Sequence, residues 1–115
     1  METANNNKKT AKVTYYVGLN DKDSKLQEIS TLEAFKVVQN VVCSLFGGGT
    51  IFEADGVYTH IGGVIICEKT LRIEVFNFGI ENFDAKVLEF CDVVKKALNQ
   101  ESISVQREFV QSELI

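Results

Sequence analysis

The spacing of apolar residues in this chain switches between a strand period and a helix period in one particular order, and that order limits the fold more than any single motif. From Lys12 to Asn20 the segment KVTYYVGLN alternates: Val13, Tyr15, Val17 and Leu19 fall on one face, Thr14, Tyr16 and Gly18 on the other. Alternation of β-branched and aromatic residues predicts a strand. Polar DKDSKLQEI, 21–29, reads as a loop. Ser30-Thr31-Leu32-Glu33 is a capping-box pattern, in which the serine oxygen accepts from the N3 amide and the glutamate reaches back. Leu32, Phe35, Val38, Val42 and Leu45 follow at steps of three and four, predicting an amphipathic helix over 31–46 with these residues as its buried stripe. Gly47-Gly48-Gly49 stops it, because glycine accepts the left-handed conformation of a helix C-terminus.

The second half repeats the pattern. TIFEADGVYTH, 50–60, is an extended stretch with an expected kink at Asp55-Gly56, and Ile61-Gly62-Gly63 supplies a hairpin turn into a long strand over 64–78. After Glu81 or Asn82, either able to cap, Phe83, Val87, Phe90, Val94 and Leu98 recur at helical steps until Asn99. SISVQREFV, 102–110, alternates again. The order β-α-β-β-α-β predicts an α+β, ferredoxin-like fold: a four-stranded antiparallel sheet with two helices on one face. At 115 residues there is room for one domain, taken as 11–115, behind a polar tail, METANNNKKT at 1–10, expected to be disordered.

Charge narrows the partners. The net charge is −4, and the one basic concentration is Lys8, Lys9 and Lys12; affinity for a nucleic acid duplex rests on neutralising phosphates, so a duplex is disfavoured. One small anion needing one or two arginines stays open. The three cysteines, Cys43, Cys67 and Cys91, are widely spaced without a CxxC pair, and their apolar neighbours predict buried free thiols. No apolar segment has the length of a membrane span and Met1–Thr10 lacks the apolar stretch of a signal peptide, so a cytoplasmic location is expected.

Two helices cover one side of a four-stranded sheet, which leaves the other side informative. In the strand 64–78, Leu71, Ile73 and Val75 share the parity expected to meet the helices, while Arg72, Glu74, Phe76 and Phe78 share the other. Aromatic rings on an uncovered face mark either a dimer contact or a ligand platform beside one. Arg107 has the parity of Ile103, Val105 and Phe109, so it either reaches solvent or a glutamate at the strand end, or clamps a phosphate. Arg72 and Arg107 are the chain's only arginines.

Recognisable catalytic patterns are missing. His60 is the only histidine, and no nucleophile stands in a local motif that would use it. Glu53 and Asp55 are two apart, but strand parity turns His60 away from them, against a metal site. GGGT at 47–50 leaves a helix C-terminus, the wrong electrostatic end for a phosphate loop. The chain reads as a non-enzyme without a cofactor.

Three stretches carry a family likeness: YYVGLNDKDSKLQEIS at 15–30, TIFEADGVYTHIGGVIICEKTLRIEVF at 50–76 and ALNQESISVQREFV at 97–110. Together the chain resembles the small phage-encoded Thoeris anti-defence sponge family, whose members sequester a cyclic ADP-ribose isomer made by TIR-domain immune enzymes without cleaving it. The resemblance implies a homo-oligomer, at least a dimer, that binds a nucleotide signal near subunit contacts in the host-cell cytoplasm. Under it, Phe76 or Phe78 would stack on adenine and Arg72 and Arg107 would neutralise the pyrophosphate. Asn99, Gln100 or Gln106 would read ribose hydroxyls or the base edge. The competing expectations are a dimeric interaction module docking a polypeptide on Phe76 and Phe78, and a small dimeric enzyme using His60.

Overall fold

Alternation in the first strand sets the core. In the computed structural model, which describes residues 10–110 and 113–115, the elements are β1 (Lys12–Gly18), α1 (Thr31–Phe46), β2 (Thr50–Thr59), β3 (Ile65–Phe76), α2 (Phe83–Ala97) and β4 (Ser104–Glu108). Val13, Tyr15 and Val17 of β1 are fully buried beside Leu71, Ile73 and Val75 of β3. Against them pack Val38 and Val42 of α1 and Val87, Phe90 and Val94 of α2. The strands pair antiparallel in the order β2-β3-β1-β4. Each helix therefore joins two strands that are not neighbours, which is the ferredoxin-like arrangement expected from the sequence.

The tail expected over 1–10 lies outside the described residues except for Thr10, which belongs to the fold. Thr10 is buried, and its carbonyl accepts from Asn77 Nδ2 at 3.1 Å.

Helix ends follow their sequence signals. Ser30 Oγ accepts the Glu33 amide at 3.1 Å and donates to the Glu33 carboxylate, closing the first turn of α1. Gly47, at φ 81°, ends it with its N–H on the Cys43 carbonyl. The expected stripe needs correction. Ala34, Val38, Val42 and Phe46 are the buried row, with Val37, Val41 and Leu45 flanking, whereas Leu32 is exposed. Rows at steps of four are the ridges that helices pack by, and small Ala34 lets the helix approach closely. At the other helix, Asn82 occupies the cap position at φ 55° without a side-chain cap bond.

The β2–β3 hairpin departs most from expectation. Its register runs unbroken from Thr50↔Glu74 to Thr59↔Ile65, so Asp55-Gly56 introduces no kink. Gly56 is needed for space, since a Cβ there would meet Thr70 Oγ1 at 2.8 Å. Gly62 and Gly63, at φ 94° and 84°, make the turn. The helices cover only the base of this hairpin. Its distal part is an arm with Val57, Ile61, Val64 and Ile65 exposed, and the molecule measures 54 Å along its longest axis against 30 and 26 Å across. The arm also corrects the expectation for the thiols: Cys67 on it and Cys43 on α1 are exposed, and Cys91 is half-buried.

Candidate functional site

The residues expected to bind ligand separate into three places. Arg72 and Phe76 of β3 and Gln106 of β4 lie on the uncovered sheet face, Gln106 paired with Thr14 and Thr14 with Glu74. There the Arg72 guanidinium rests 5.2 Å from the Phe52 ring centre and pairs with the Glu74 carboxylate. Phe78 follows the end of β3 and stacks on Phe76 at 5.8 Å, with Lys12 over the Phe76 ring. These two rings line an apolar recess of about 380 Å³ with Phe46 and Ile80.

Arg107 pairs with Val13 and so takes the opposite, helix-side face. It is exposed on the edge strand, where its charge acts on Tyr15 and Cys91. Within one chain the two arginines are therefore separated by the sheet and form no joint clamp. Asn99 and Gln100 sit at the far end of the strands, beyond α2. Asn99 Nδ2 donates to Asp21 Oδ1 at 2.8 Å and to Asp23 Oδ2 at 2.9 Å. Gln100 Nε2 donates to the Asn20 carbonyl at 2.8 Å. Both amides tie the β1–α1 loop to the end of α2.

At that end β1 stops, the hairpin arm rises and α2 terminates, and together they line an open cavity of about 320 Å³. Its wall combines Tyr58 of the arm with the carboxylates of Asp21, Glu68 and Glu101, and Lys22 and Lys25 on the loop side. Glu68 is the most firmly placed. Its Oε2 accepts the Asn20 N–H at 2.8 Å, and its carboxylate lies directly over Gly18. A Cβ on Gly18 would meet the Glu68 Cδ at 2.6 Å, so the glycine keeps room for the carboxylate.

Asp21 is held ionised. The Asn99 side-chain amide, then the Ser24 and Asp23 backbone amides, bond its carboxylate and lower its pKa. The unfolded value is about 3.9, so this contribution to loop order is fully present above that pH and is lost as pH falls through the lower folded value. Asn99→Ala should raise the Asp21 titration midpoint toward the ordinary carboxylate value in a carbon-detected NMR titration; an unchanged midpoint would remove Asn99 as its cause.

Sequence reasoning missed Glu68, Tyr58 and Asp21. The one local signal was Gly18, since a glycine inside an alternating strand often marks close approach by another group. Its partner is visible only once β1 and β3 are in register. An aromatic ring beside several carboxylates attracts a cation, and does so without needing the cation to donate hydrogen bonds. Among the described residues no group of three His, Cys, Asp or Glu is placed to hold a metal ion, and no helix is long and apolar enough to cross a membrane.

No protein-family model matches the chain, and no curated protein matches it. Solved structures do. A phage SAM lyase in complex with S-methyl-5′-thioadenosine is 22% identical over 87% of this chain and 81% of that one, with a TM-score of 0.65. The same class of enzyme in its apo state gives 19% identity, 90% and 85% coverage and a TM-score of 0.64. A point mutant of CutA1 from Pyrococcus horikoshii OT3 gives 14%, 89% and 86%, and 0.54. At these identities the likeness establishes the shared α+β sheet-and-helix fold.

Proposed function

We propose that this chain binds the sulfonium nucleoside S-adenosylmethionine in the cavity beside Gly18 and breaks it down to 5′-methylthioadenosine, serving a phage in countering host defence. The observation that carries the reading is the Tyr58 wall beside Asp21, Glu68 and Glu101. A sulfonium is a fixed cation without a proton to donate, so an aromatic face and nearby carboxylates are what can recognise it. The phage SAM lyase bound to S-methyl-5′-thioadenosine supports the same ligand class on the same fold.

Cleavage of the bond between sulfur and the amino-acid chain sends both electrons to sulfur and releases a neutral thioether. The substrate's own carboxylate supplies the electrons that the carbon loses, closing a lactone, so the two products sum to the substrate. This step annihilates opposite charges and runs faster where water is excluded. The exposed apolar arm supports a homo-oligomer, at least a dimer, in which a second copy covers the arm and closes the cavity over Tyr58.

Sequestration of a cyclic ADP-ribose isomer, the ligand implied by the sequence resemblance, needs neutralised phosphates. Within one chain Arg72 and Arg107 lie apart, and the cavity wall carries three acids against two lysines; both weigh against it, and it serves as the rival ligand in the test. The full chain is incubated with each compound, the mixture is filtered, and the nucleosides are identified by chromatography with mass detection. Release of 5′-methylthioadenosine supports cleavage; intact S-adenosylmethionine retained on the protein leaves a non-catalytic sponge for that ligand.

A further inference from the structure

The cavity beside Gly18 shares a wall with a second cavity of about 450 Å³, and Lys22, Gln100 and Glu101 belong to both. The second cavity continues along the end of α2 past Lys95 and Lys96. Among the described residues Lys96 is paired with Asp92 at 3.2 Å, while neither Lys22 nor Lys95 has a carboxylate within 4.0 Å. The root of Lys22 is fixed: its N–H donates to the Asn99 carbonyl at 3.0 Å, and its own carbonyl accepts from Lys25 Nζ at 2.6 Å. The Lys22 backbone is thus fixed at the passage between the two spaces, and its exposed side chain, whose charge also acts on Asp21, lines both of them together with Glu101.

We infer that the second cavity receives the amino-acid end of the nucleoside, with Lys22 on one oxygen of its α-carboxylate, leaving the other to close the lactone, and Glu101 on its α-ammonium. This rests on the sulfonium-nucleoside reading and adds a specificity residue to it. A zwitterionic tail needs one cation and one anion side by side, and the shared wall supplies that pair. Lys95, further along the same cavity, adds to the positive potential at the carboxylate. Neutral 5′-methylthioadenosine has no such tail, so it gains nothing from the second cavity and leaves after cleavage.

The test compares two thioethers by calorimetry on the full chain. S-adenosylhomocysteine carries the tail and 5′-methylthioadenosine lacks it, so sulfur charge is held constant. Lys22→Ala should weaken S-adenosylhomocysteine about two- to fivefold, the worth of one ion pair at an exposed site, and leave 5′-methylthioadenosine unchanged. Lys22→Arg should restore most of the loss. An unchanged ratio of the two affinities in Lys22→Ala, or equal weakening of both, overturns the role of Lys22 while the nucleoside reading stands. Failure of the unmodified chain to bind either thioether overturns both.

Discussion

Glu68→Gln should slow consumption of S-adenosylmethionine at subsaturating concentration about tenfold, through weaker binding, because one carboxylate is lost from beside the sulfonium. The substitution preserves shape and an acceptor for the Asn20 N–H, so only the charge is removed. Folding is expected to be unaffected, because the carboxylate is half-buried at the cavity wall and not part of the core. Gly18→Ala provides an independent arm. It keeps the charge but drives a Cβ into the space of the Glu68 carboxylate, 2.6 Å away, so the carboxylate has to shift from its place over Gly18. Both variants should therefore fall in the same direction, read as initial rates of 5′-methylthioadenosine release. A Glu68→Gln protein working at the unmodified rate would place the sulfonium elsewhere.

The second large effect concerns the fold that holds the cavity. Phe90 is fully buried and stacks on Tyr15, with ring centres 4.0 Å apart and planes at 22°. It also lies 6.4 Å from the Phe46 ring. Phe90→Ala leaves a void between α2 and the sheet and should cost about 3–5 kcal/mol of unfolding free energy. Against a total of about 5–15 kcal/mol for a domain of ordinary stability, that is a large fraction, readable in a urea titration. Tyr15→Phe is the contrast. It loses only the bond from the phenol to the Val87 carbonyl at 3.2 Å, worth about 1 kcal/mol. Burial raises the Tyr15 pKa, so the phenol stays neutral and no charge is at stake. A Phe90→Ala cost no larger than that of Tyr15→Phe would mean the stack does not organise the core.

Much of the fold was legible because its signals are local. Val13, Tyr15 and Val17 declare a half-buried strand by alternation, Ser30 and Glu33 declare a helix start, and Gly62-Gly63 declares a turn. Parity alone assigned Leu71, Ile73 and Val75 to the helices and Arg72 and Phe76 to the open face. The phase of α1 was less legible, since Leu32 and Ala34 differ in hydrophobicity in the opposite sense to their burial; packing against α2 and the sheet chose the row. The hairpin arm was illegible for a related reason. Val57, Ile65 and Cys67 look like core residues, and only the lengths of the helices show that neither helix reaches far enough to cover them.

The candidate site was mostly hidden. Arginines and phenylalanines stand out in a sequence with few of them, which directed attention to Arg72, Phe76, Phe78 and Arg107. Their grouping depended on which face β4 presents, and pairing of Val13 with Arg107 puts that arginine on the far side of the sheet from Arg72. Asn99 and Gln100 were identified as polar groups worth watching, and they do border the cavity region, but their amides are engaged with Asp21, Asp23 and Asn20. Glu68 is one acid among sixteen, and no local pattern distinguishes it. What sets it apart is a long-range fact, the approach of its carboxylate to Gly18 across two paired strands.

The most direct measurement is the fate of S-adenosylmethionine held in excess over the full-length chain. The nucleoside pool should shift over time to 5′-methylthioadenosine, with none of the starting compound protected by the protein. Full recovery of unbound S-adenosylmethionine, together with retention of the cyclic ADP-ribose isomer under the same conditions, would contradict a sulfonium site beside Gly18.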